Sequence, residues 1–70
     1  MFYFFEKDRR YLQCEIRLTD VPETFAIIMT EPDGHIRTHF VTGNGELQRR
    51  WMSLQTDLNA NGWWGPSGRD

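Results

Sequence analysis

A single cysteine, Cys14, leaves no partner for an internal disulfide. With only two histidines beside it, the chain also falls short of the four soft ligands of a closed zinc site, so neither metal nor cofactor is expected. No apolar run approaches the ~20 residues that cross a bilayer. The N-terminal MFYFFEKDRR puts its aromatics before its charges and offers no small-residue cleavage site, so it does not read as a signal peptide. One thiol and no export signal make a cytoplasmic protein the expectation. An excess of charge of one sign is lacking as well. The formal net charge of −2 speaks against a dedicated nucleic-acid binder, although local charge can override it.

What is present is aromatic: 14% of a 70-residue chain. A chain this short makes one domain and buries only about 60% of its unfolded surface. Stability must therefore come from aromatic packing or from self-association.

The stretch NGELQRRWMSLQTDLNANGWWGP, residues 44–66, organises the rest. Leu47, Trp51, Leu54 and Leu58 recur at steps of four, three and four, which is one stripe of an amphipathic helix. Asn44 reads as its N-cap, with Glu46 in the first turn favoured by the positive end of the helix dipole. Asn61-Gly62 reads as its end, Gly taking the left-handed conformation and Trp63 packing back on Leu58.

The residues before the helix read as strands. Phe2–Glu6 is aromatic and β-prone, and Lys7–Arg10 is a polar turn. Tyr11–Leu18 alternates, sending Leu12, Cys14, Ile16 and Leu18 one way. Pairing across the turn sets Tyr3 opposite Cys14 and Phe5 opposite Leu12, which puts Tyr3 and Phe5 in the core and Phe2 and Phe4 outside. Thr24–Thr30 is the most apolar strand and belongs in the sheet interior. Glu31-Pro32-Asp33-Gly34 is a type I turn signal. A four-residue reversal there predicts Thr30 opposite His35 and Ile28 opposite Arg37, with Ile36, Thr38 and Phe40 on the apolar face and His35, Arg37 and His39 outside.

The expected class is α+β: an antiparallel meander of three to four strands with one C-terminal helix packed on one face. Residues 1–66 form a single small domain, and residues 67–70 a disordered tail. In outline this resembles the sheet-plus-helix DNA-binding modules of plant transcription factors and integrase arms, without their base-reading motifs. The P-D-G turn and the helix running into G-W-W-G-P resemble short uncharacterised bacterial proteins over residues 25–66; that resemblance implies a β-meander with a terminal helix and brings no activity.

Several constellations resolve to ordinary roles. His35 and His39, four apart on a strand, would stand roughly 13 Å apart at ~3.3 Å per residue, too far to share an ion. Cys14 alternates with core residues and reads as a small buried hydrophobe. Thr42-Gly43-Asn44-Gly45 precedes a helix but lacks the phosphate-loop pattern and its lysine. No nucleophile–base pair or paired carboxylates can be assembled, so no enzymatic activity is expected.

What remains is the outer sheet face. Phe4, Tyr11, Arg17, Ile28, Arg37 and His39, with Trp64 just beyond the helix, form the candidate interaction surface, since large apolar groups ringed by arginines suit a protein interface. The expected function is a small interaction module binding itself or another protein through that face or a strand edge. The alternative is a nucleic-acid-binding module using the same face, with Tyr11 and Phe4 stacking on bases.

Overall fold

In a computed structural model, which describes residues 1–69, the chain forms β1 (Phe2–Lys7), β2 (Arg10–Leu18), β3 (Thr24–Thr30), β4 (Ile36–Thr42), α1 (Asn44–Ala60) and β5 (Trp64–Arg69). The class is α+β, with one open antiparallel sheet in the order β4-β3-β2-β1-β5. The sheet has five strands rather than three or four. The extra one is β5, where a frayed tail was expected. It pairs with β1 as far as Arg69, opposite Phe2; Asp70 lies outside the described residues. Helix α1 carries the chain from the β4 edge across one face of the sheet to the β5 edge.

The first hairpin has the register its alternation demands: Tyr3 faces Cys14, Phe5 faces Leu12, and Lys7 faces Arg10. Only Asp8 and Arg9 remain to turn the chain, both at positive φ (52° and 66°). A two-residue loop of this kind matches the right-handed twist of the strands, and Asn-Gly is its preferred sequence. The second hairpin continues the pattern, with Met29 opposite Cys14 and Ile27 opposite Ile16.

The third hairpin does not follow the expected register. Thr30 pairs with Ile36, Met29 with Arg37, Ile27 with His39 and Ala26 with Phe40. Gly34 is the cause. The Glu31–Gly34 turn closes with a Gly34 N–H to Glu31 C=O bond of 2.9 Å, and Gly34 then adopts φ 91°. The Glu31 N–H donates to the His35 carbonyl at 2.8 Å, so the loop contains three residues and a glycine bulge. That added residue slips the register by one and exchanges the faces of β4. Ile36, Thr38 and Phe40 share the outer face with Ile28, while Arg37, His39 and Val41 turn to the helix side.

Helix α1 starts differently from its signal. Gly43, at φ 87°, occupies the N-cap, Asn44 lies inside the helix, and no side chain caps the N-terminus. The Gly43 N–H is held by the Glu23 carbonyl at 2.7 Å, which ties the helix start to the β2–β3 loop. The helix end follows its signal: Trp63 N–H donates to Leu58 C=O (2.9 Å) and Gly62 N–H to Asn59 C=O (3.1 Å), with Gly62 at φ 90°.

The core lies where the helix stripe meets the first strands. Phe5, Leu12, Cys14 and Met29 are buried together, and Tyr3, Trp51, Leu54, Leu58 and Trp63 pack against them. Trp51 carries the helix side of this contact. Its ring lies 4.7 Å from Tyr3 and 6.2 Å, edge-on, from Phe5. Aromatic pairs of this kind add about 0.5–1.5 kcal/mol beyond the area they bury.

Arg9 occupies a left-handed position that costs an L-residue about 1–2 kcal/mol and glycine nothing. Arg9→Gly should therefore stabilise the fold by about 1 kcal/mol after glycine's greater chain entropy is subtracted. Urea denaturation, with an unchanged slope, measures it.

Candidate interaction surface

The outer face of the sheet has no element of the chain over it among the described residues, because α1 lies on the other side. Cross-strand pairing orders its side chains. At one end stand Tyr11, Glu6 and Trp64, adjacent on β2, β1 and β5. Phe4 follows on β1 between Gln13 and Ser67. At the opposite edge Ile36, Thr38 and Phe40 line β4, beside Thr30, Ile28 and Ala26 of β3. Between these two apolar areas β2 runs as a polar stripe of Gln13, Glu15 and Arg17, in which Arg17 and Glu15 are paired at 2.9 Å.

Five of the seven expected surface residues share this face: Phe4, Tyr11, Arg17, Ile28 and Trp64. Arg37 and His39 do not. The Gly34 bulge turns both to the helix side, where Arg37 approaches Glu31 (3.5 Å) and His39 Nδ1 stands 3.5 Å from an Arg50 guanidinium nitrogen. His35, expected beside them on the strand, lies in the loop. In their place the face gains Ile36 and Phe40, 59% and 68% exposed, at the edge opposite Tyr11 (59%) and Trp64 (80%). The signal for these two was the glycine of the P-D-G turn, which can serve either as the last residue of a four-residue turn or as a bulge.

Trp64 reaches the outer face through a second irregularity. Ser67 pairs with Phe4 and Trp64 with Glu6, so β5 spends one residue more than β1 over this interval. Regular pairing from Ser67 would have sent Trp64 to the helix side. The bulge depends on Gly65 at φ 140°, where a Cβ would stand 2.7 Å from the Phe4 carbonyl oxygen. No other residue fits there. Around the re-aimed indole an open depression is lined by Phe4, Glu6, Lys7, Asp8, Tyr11 and Trp64. The Lys7 ammonium itself is engaged by the Asn61 carbonyl at 2.7 Å, at the negative end of the helix.

Both free edges of the sheet carry features that oppose strand addition. On β5, Pro66 has no N–H to donate, and a glycine, Gly65, precedes it. On β4, Arg37 and His39 point inward over the helix side, so an added strand would have to cover them.

Cys14 and His39 were expected on opposite faces. They share the helix side, but β3 separates their strands, a gap of roughly two strand spacings, ~9–10 Å. Cys14 is fully buried, and burial pushes its thiol up to about 11. No helix among the described residues is long and apolar enough to cross a membrane. Comparison with protein families, with curated proteins and with solved structures finds no match to the chain.

The Cys14 environment fixes a pH dependence. The unfolded thiol releases its proton near 9.0 and the folded one near 11, so between these values the unfolded chain holds fewer protons. The stability contributed is complete below pH 9 and is lost as pH rises to about 11. Denaturation across this window should show the loss in the native protein, and Cys14→Ala should remove that part of it.

Proposed function

We propose that the protein is a small interaction module that binds a protein surface, a second copy of itself or another chain, through the outer face of its sheet. The observation that carries this reading is the exposure of Tyr11, Ile36, Phe40 and Trp64 on one uncovered face. Fully burying one such side chain is worth about 1.5–3 kcal/mol, so a partner covering both apolar areas gains several times that before association costs. Edge pairing, the other route expected from the sequence, is disfavoured by Pro66 on one side and by the inward Arg37 and His39 on the other.

A nucleic-acid partner is less well supported. Arg17 is paired with Glu15, Arg49 with Glu46, and Arg37 has left the face. Among the described residues the outer face therefore offers aromatic rings without a free line of cations to follow a phosphate backbone.

Light scattering over a wide concentration range, at low and high salt, should show a dimer that survives salt. Tyr11→Glu with Phe40→Glu should return it to a monomer with unchanged circular dichroism. A monomer at every concentration removes self-association and leaves only the heterologous partner. Dimerisation unaffected by the double substitution rules out this face.

A further inference from the structure

The Tyr11–Glu6–Trp64 row carries a narrower specificity than the rest of the face. Glu6 has an aromatic residue directly opposite it on each neighbouring strand, and Phe4 stands two residues along its own strand on the same side. Cross-strand neighbours of this kind have Cβ atoms about 4.5–5.5 Å apart, so a carboxylate lies among three aromatic side chains. Ring-on-ring stacking among the described residues is found on the helix side, at Trp51; the rings of Phe4, Tyr11 and Trp64 instead border the open depression.

We propose that Phe4, Tyr11 and Trp64, with Glu6, form a binding site for a methylated ammonium group. The negative faces of aromatic rings attract cations, Trp most strongly, and a nearby carboxylate adds to the same field. Methylation matters because a quaternary ammonium is weakly hydrated and presents apolar methyl groups to an apolar lining, whereas a bare ammonium or metal ion would keep its water. The other charges at the depression agree in sign. Asp8 adds a second carboxylate, and the one cation in the lining, Lys7, is drawn away to Asn61.

The Gly65 bulge is the independent support. It uses a conformation open only to glycine, and its effect is to leave an indole 80% exposed beside Glu6 instead of on the helix side. As packing, this forfeits the burial of a large apolar side chain. As one wall of a cation site, it is the placement required.

The test follows the three indole N–H resonances of the 15N-labelled full chain, with Trp64 assigned through Trp64→Phe. Titration with choline chloride, against sodium chloride of equal ionic strength, should shift the Trp64 signal saturably and leave Trp51 and Trp63 in place. N-trimethyllysine is the second probe; whichever of the two binds more tightly identifies the source of the head group as a free solute or a modified side chain. Glu6→Gln should weaken binding roughly two- to fivefold, the scale of an exposed ion pair. Trp64→Ala, read at Tyr11, should weaken it about fivefold, the scale of one exposed cation–π contact. The uncharged choline isostere 3,3-dimethylbutan-1-ol should bind several-fold more weakly than choline. Equal binding by the isostere, or no saturable shift with either cation, overturns the site. Self-association is read separately by mass, so the cation site can fail while the docking face stands, and the reverse.

Discussion

One helix has to close a five-stranded sheet, and the contact of Trp51 with Tyr3 and Phe5 is where it does so. The remaining packing follows from that contact. It fixes the helix over β1, brings Leu54 and Leu58 onto the buried cluster of Phe5, Leu12, Cys14 and Met29, and sets the point at which Gly62 reverses the chain. From there Trp63 folds back onto the core and β5 meets the free side of β1. A single helix can cover only one side of a sheet. Even there its N-terminal end leaves Leu18 largely exposed beside a shallow opening that Ile16, Phe25 and Leu47 also line.

The uncovered side is the result of that economy, and its composition is unusual for a solvated surface. A half-buried antiparallel sheet ordinarily alternates apolar residues inward and polar residues outward. Here β2 keeps that rule over Gln13, Glu15 and Arg17, while Tyr11 at its start and the strands on either side of it break the rule with Phe4, Ile28, Ile36, Phe40 and Trp64. The polar stripe separates two apolar areas of different character. One is aromatic and carries carboxylates; the other is aliphatic apart from Phe40 and lies at the β4 edge.

Much of this was legible in the residues. The period of Leu47, Trp51, Leu54 and Leu58 gave the helix and its buried stripe, and the alternation of β2 gave the register of the first hairpin. Two glycines were not legible. Gly34 can close a four-residue turn or form a bulge with the same neighbours, and only the packed sheet distinguishes the two. The choice exchanges Arg37 and His39 for Ile36 and Phe40 on the outer face. Gly65 stands in a stretch, Gly-Pro-Ser-Gly, whose composition reads as coil. Its strand character arises from β1, some 60 residues earlier in the chain, which no local pattern can report. Asn44 is a smaller case: a good capping residue yielded to Gly43, whose positive φ and bond to Glu23 set the helix start.

The bulge at Gly34 means that β4 encodes two surfaces in one string of letters. One is Ile-Thr-Phe and the other Arg-His-Val, and the loop length decides which is shown to solvent. Loss or gain of one codon between Glu31 and His35 would exchange them without altering a residue of the strand. Which side chains this edge shows to solvent is thus set by the length of one loop, so a single-codon change there would turn its outer surface from apolar to basic.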